Sequence, residues 1–241
     1  MLDISKMLLV SHKVKSSFDE ILFTANVQES GEARISAHLY LTISEQFAAV
    51  LHLIEGGHSS HAPIIVRSML EGLASLCNLV SDPAYLEQMK FDNARSDVIL
   101  FTEYAANPSM QDDKEAIAKL RSWKDQAQPL LDELKTKGYK KQELIEKFKK
   151  ANMLENYVAY RVFCSFAHNQ LTTLNARHAG KFELRYHEEA PQETTASVMV
   201  VAISILCRAF ETLSKFTDLH SDVLAKAISD ADKVWNTTRN A

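Results

Sequence analysis

Holding a phosphate and moving a proton near neutral pH are tasks for arginine and histidine. The guanidinium presents a fixed fork of donors to phosphate oxygens, and imidazole titrates near neutrality and serves as general acid or base. Both residue types recur in YRVFCSFAHNQLTTLNARHAG, residues 160–180, as Arg161, His168, Arg177 and His178. Seven residues turn an α-helix to within about 20° of its starting direction and advance it about 10 Å. A helix here therefore places Arg161 and His168 on one face, with Tyr157, Ser165 and Thr172, and turns Ala159, Phe163, Phe166 and Leu174 toward a core. Asn169, Arg177 and His178 extend the polar equipment toward the end of the same helix.

A second polar stripe lies over residues 61–81. Ile65, Val66, Met69, Leu70, Leu73, Leu76, Cys77 and Val80 make a wide apolar face, and Arg67, Glu71, Ser75 and Asn78 occupy the other. Arg67 and Glu71 are four apart and pair along a helix. Either they brace two helices as an internal ion pair or they support the Arg161–His168 face. Their expected position is near Arg161 or His168. His58 and His61 in HSSH offer two imidazoles but no third ligand at a fixed spacing, which reads as a loop rather than a metal site. No CxxC or HExxH motif is present, GKFEL lacks the flanking pattern of a phosphate loop, and neither a metal nor a cofactor is expected. The run 135–150 carries seven lysines against two glutamates. It reads as a solvated helical face or, alternatively, as a basic patch that guides RNA.

The elements that must position these residues are helices. Six glycines and five prolines in 241 residues leave little material for turns. Apolar spacing predicts helices over 3–27, 32–55, 61–81, 84–106, 111–136, 141–151 and 154–177. A further helix, capped by Thr194 or Thr195, runs to about 216, and a last one covers 220–236. The segment EGGHSSHAP, 55–63, breaks the second helix from the third, with Ser60 as N-cap and Pro63 in the first turn. Only 181–187 alternates like a strand, through Phe182, Leu184 and Tyr186. Over 196–213 the large aliphatics lie on several faces, which predicts an enclosed helix. The expected architecture is all-α, one multi-helix bundle of about eight helices over residues 1–241.

Composition narrows the setting. The net charge of −4 exerts no global pull toward nucleic acid or membrane. The N-terminal residues lack a basic region and a sustained apolar stretch, so no signal peptide is expected. The longest apolar run, 198–207, is short of the roughly 20 residues a spanning helix needs. Cys77, Cys164 and Cys207 are odd in number, far apart and in apolar contexts, as in reduced core thiols. A cytoplasmic protein without membrane contact is expected.

Arg161, six intervening residues and His168 on a late helix of an all-α chain resemble the Rx4-6H motif of the HEPN superfamily. Val162 departs from its commonest form, which has a polar residue after the arginine. APIIVRSMLEGLASLCNLVSDP and YRVFCSFAHNQLTTLNARH are also similar to an uncharacterised bacterial family of helical domains, over about residues 30–215. That family carries an arginine and a glutamate on one helix and a Ser-x-x-His late in the chain, here Arg67, Glu71, Ser165 and His168. The HEPN resemblance implies a metal-independent endoribonuclease acting as a homodimer on RNA, in a toxin or phage-defence setting with an antitoxin or defence protein as partner. Arg161 and His168 would then be catalytic, with Arg67, Glu71, Ser165, Asn169, Arg177 and His178 binding or supporting. The competing expectation is a non-catalytic helical module that binds a nucleotide, RNA or a protein.

Overall fold

Short polar side chains start several helices, as their chemistry dictates. Asp3, Ser30 and Asp113 each accept a hydrogen bond from the backbone N–H three residues on, which satisfies a donor that the first turn leaves open. Helix ends follow an equally local rule. Gly57 and Gly138 take positive φ values of 76° and 91°, and in both places the next N–H reaches back five residues, His58 to Leu53 O and Tyr139 to Leu134 O. This is the Schellman closure, which needs a left-handed residue at its centre. Asn152, with φ 53°, does the same after the sixth helix.

The computed structural model describes residues 3–110, 112–168, 170–179, 183, 185, 186 and 190–240, without the side chains of 110, 239 and 240. They form ten α-helices: α1 Ile4–Leu22, α2 Gly31–Glu55, α3 Ala62–Ser81, α4 Tyr85–Ala106, α5 Lys114–Thr136, α6 Leu144–Lys150, α7 Asn156–Ala167, α8 Leu171–His178, α9 Gln192–Glu211 and α10 Ser221–Asn240. Short 3₁₀ turns precede α3 and α5 and follow α9. The chain is all-helical as expected, with ten helices against about eight. Among the described residues there is no strand; Val27 and Thr217 form an isolated antiparallel bridge. The strand-like alternation falls mostly outside the described residues; Glu183, Arg185 and Tyr186, which are described, lie in no strand. The Thr194 or Thr195 cap is also corrected. α9 begins at Gln192 after Pro191, and no side-chain cap bond is present.

The helices fall into two compact units, residues 1–81 with 147–241, and residues 82–146. In the larger one, α3 packs on α2, α7 and α9. Tyr40, Ile43 and Phe47 of α2, Met69, Leu70 and Leu73 of α3, and Leu206 and Phe210 of α9 are sealed from solvent. Phe18 of α1 stacks on Phe210 with ring centroids 3.8 Å apart. Gly72 lets α2 and α3 approach closely, since a Cβ there would lie 3.3 Å from Ile43 Cγ1. The smaller unit is an α4–α5 hairpin closed over Phe91, Ala94, Leu131 and Leu134.

α9 matches its predicted role. Val198, Ile203, Ile205, Leu206 and Phe210 are buried, and only Val201 of the predicted set is half-buried. Ser59–Ser81 and Gln192–Lys215 are long and apolar enough to cross a membrane by length and composition alone. Core helices of water-soluble proteins meet the same criterion, and α3 and α9 supply much of the core of the larger unit.

Candidate functional site

The Arg161–His168 pair rests on the end of α7. The predicted helix over 154–177 is in fact two, with a break at residues 168–170. His168 caps α7, and its N–H still donates to Cys164 O at 3.0 Å. The last turn therefore runs through His168, and the seven-residue geometry is kept: both residues lie on one side, about 10 Å apart along the axis. Both are exposed. Thr172, Arg177 and His178 belong to α8 and no longer share that stripe. The break has the same local cause as the other helix ends. Gln170 N–H donates to Ser165 O at 3.2 Å, the five-residue return of a Schellman closure. Asn169, a candidate binding residue, lies outside the described residues.

The opposite side of α7 anchors it. Tyr160 and Phe163 are buried there, while Ala159 and Phe166 of the predicted core face are only half-buried. Tyr160 packs in an aromatic group with Phe148 and Tyr157, at centroid distances of 5.4 and 5.8 Å. Arg67 of α3 donates to the Tyr160 hydroxyl from Nη2 at 3.2 Å, and its Nη2 also lies 3.0 Å from Glu71 Oε1. Burial pushes the Tyr160 phenol up to about 12, a shift reinforced by its hydrogen bond with Cys164 and opposed by Arg67. Arg67 of α3 thus meets α7, but its partner there is Tyr160, one residue before Arg161 and outside the predicted polar stripe. Adjacent residues point about 100° apart on a helix, so the arginine beside the anchor faces solvent. Arg67 and Glu71 brace α3 against α7.

Arg177 and His178 assemble elsewhere. The Schellman turn at Gly57 delivers HSSH to the end of α8, where His58, Ser60 and His61 line a pocket of about 210 Å³ with Arg177, His178 and Tyr186. Arg177 Nη2 donates to His61 Nε2 at 2.8 Å. His178 Nδ1–H donates to the Arg185 carbonyl at 3.2 Å, and Arg185 N–H returns a bond of 2.9 Å to His178 O. A carbonyl only accepts, so this contact fixes the proton on Nδ1 and leaves Nε2 with the lone pair in neutral His178. The Arg177 Nε is buried and without a partner among the described residues. His58 and His61 of HSSH are exposed, as the sequence reading expected, and they also line this pocket. Nothing in the sequence pairs His61 with an arginine 116 residues away.

The remaining candidates are structural. Ser165 Oγ donates to Val162 O and accepts from the buried Thr173 hydroxyl at 3.0 Å, tying α7 to α8. In the lysine-rich run, Lys135, Lys137 and Lys141 pair with Asp132, Glu133 and Glu143, which fits a solvated face. Among the described residues no group of three histidine, cysteine, aspartate or glutamate side chains stands ready to hold a metal ion.

Residues 33–185 match the model of DUF5677, a family of unknown function. No curated protein matches, and no solved structure does.

Proposed function

The chain belongs to the DUF5677 family, whose function is unknown, and from that premise we propose that it cleaves RNA without a metal ion, through Arg161 and His168. One observation carries the reading. The helix breaks after His168 and not before it, so the two exposed side chains keep the common face that the resemblance to the HEPN motif requires. A polymeric substrate reaches an exposed face and cannot reach a closed pocket. In the reaction His168 takes the proton from a ribose 2′-hydroxyl as that oxygen attacks the adjacent phosphorus. The phosphorus–5′-oxygen bond breaks, leaving a 2′,3′-cyclic phosphate, and the 5′-oxygen departs with a proton. Arg161 donates to the non-bridging oxygens as their charge grows.

The same face argues for a homodimer. Val158 and Val162 are 69% and 54% exposed and lie within about 120° of Arg161 and His168 around the helix axis. Large aliphatics rimming a polar pair suit a contact with a second copy, which would supply a second histidine to protonate the leaving oxygen. Val158→Glu combined with Val162→Glu should halve the mass seen by light scattering; a monomeric parent at assay concentration would remove the dimer from the mechanism. The setting proposed for the enzyme is cytoplasmic, as a toxin or phage-defence effector.

The test uses purified protein, mixed RNAs and a chelator. Cleavage with cyclic-phosphate ends is expected. His168→Ala should lower the rate by about 10²–10⁴ while melting like the parent, because an exposed imidazole leaves no cavity. Arg161→Lys should restore little of what Arg161→Ala loses, since an ammonium lacks the guanidinium fork. Absence of cleavage, or a His168→Ala protein that melts normally and still cuts, overturns the reading.

A further inference from the structure

A groove of about 320 Å³ runs along one flank of the α4–α5 hairpin, within the smaller unit. We propose that it is a docking site for an arginine side chain of a partner polypeptide. Neither Arg161 nor His168 takes part, so the site is independent of RNA cleavage. The first ground is charge and the supply of acceptors. Asn93, Asp97 and Phe101 line the groove from α4 at four-residue spacing, which sets them in one row. Asn93 Nδ2 donates to Asp97 Oδ2 at 2.9 Å, and no cation pairs with this carboxylate among the described residues. On the α5 side, Gln126 Nε2 donates to Ser122 Oγ at 3.3 Å. Each amide spends a donor within its own helix, and the carboxylate and two amide oxygens are left as acceptors. A guanidinium brings a positive charge and five donors in a planar fork.

The second ground is the aromatic lining. Phe101 and Trp123 stand together in the groove with ring centroids 5.5 Å apart. A planar guanidinium stacks on such rings, and arginine is the commoner cation over them. The Trp123 indole already attracts a cation within the fold, since Lys119 Nζ, from outside the lining, lies 5.0 Å from its centroid. Ala94 and Ala127 bring only methyl groups between the walls. The space is at the lower end of the roughly 300–1,000 Å³ of ligand sites, which suits one long side chain rather than a cofactor. The third ground identifies a polypeptide as the source. Leu100 and Tyr104 follow Asp97 by three and seven residues, on its side of α4, and both are exposed, as are Trp123 and Leu130 on α5. Free arginine would leave those apolar side chains in water, whereas a polypeptide that inserts an arginine covers them. An arginine enclosed by large apolar groups is a frequent interface hot spot.

Calorimetry on the full chain tests this with acetyl-Leu-Arg-Leu-amide as probe, and one saturable site per chain is expected. Citrulline in place of arginine keeps the shape without the charge and should weaken binding at least about tenfold. The lysine peptide should also bind more weakly than the arginine peptide. Asp97→Asn, which can still accept from Asn93, should weaken binding at least about tenfold, whereas Asp125→Asn, on another face of α5, should bind as the parent does. Trp123→Leu should weaken binding too and serves where Asp97→Asn fails to fold. Failure of the arginine peptide to bind up to about 10 mM, where affinity is negligible, overturns the proposal. Affinity unchanged by citrulline does so too, as does affinity unchanged by Asp97→Asn or, where that variant does not fold, by Trp123→Leu. Acetylarginine amide binding as tightly as the peptide overturns a polypeptide source. Guanosine monophosphate, whose ring also offers adjacent N–H donors to a carboxylate, overturns the assignment to arginine if it binds more tightly than the peptide. Light scattering on the same samples covers a second copy of the chain: a dimer that Asp97→Asn dissociates would overturn a separate partner.

Discussion

Tyr160 and Arg161 are neighbours in sequence with opposite fates, and the difference is a helical rotation. Tyr160 is 6% exposed, fixed by Arg67 and by two aromatic rings, whereas Arg161 faces water. The pairing of Arg67 with Glu71 is legible from their four-residue spacing, but the Tyr160 hydroxyl, 93 residues away, is not. That hydroxyl gives a pH dependence with a definite sign. Burial raises the Tyr160 phenol and the Cys207 thiol to about 12 each, above unfolded values near 10 and 8.5. Between the unfolded and folded values the folded chain keeps protons that the unfolded chain releases, so stability present below that window is lost as pH rises through it. Melting temperature should hold level up to about pH 8 and then fall toward pH 12. Tyr160→Phe should lessen the fall above about pH 10, which the fully buried Tyr40 phenol, also raised by burial, shares, and an unchanged slope in that variant would show that the Tyr160 phenol is not buried in solution.

At the scale of elements, local chemistry sets where helices stop and packing sets how much each is worth. Gly138 ends α5 with φ 91° and open space around it, so Gly138→Ala should cost about 1 kcal/mol, from backbone strain alone. α7 ends with a five-residue return from Gln170 N–H to Ser165 O, and this is why a periodicity that runs on past residue 168 misleads. Apolar spacing reports which side of a helix is buried, not whether the chain turns a corner between two turns of it. α9 is the opposite case, because burial on several faces is written directly in its composition. Phe210→Ala should cost about 3–5 kcal/mol and Ile205→Ala about 2–5 kcal/mol, measured by urea unfolding. Losses below about 1 kcal/mol would mean that α9 is not enclosed.

At the scale of the whole molecule, the two units have cores of very different size. The α4–α5 hairpin buries four residues in its cluster, whereas the larger unit seals long runs of α2, α3 and α9. Local opening follows buried apolar contact, so amides of α4 and α5 should exchange with deuterium well before those of α2, α3 and α9. Uniform protection would instead indicate one cooperative unit. Sequence alone determined the helical class, most helix bounds to within a few residues, the burial of α9 and the Arg67–Glu71 pair. Each follows from interactions among residues three or four apart or from composition. Tertiary structure decided the rest: that Tyr160 takes Arg67, and that His61 meets Arg177. Those contacts join residues 93 to 116 apart, and such a distance is closed by core packing, which no local spacing encodes.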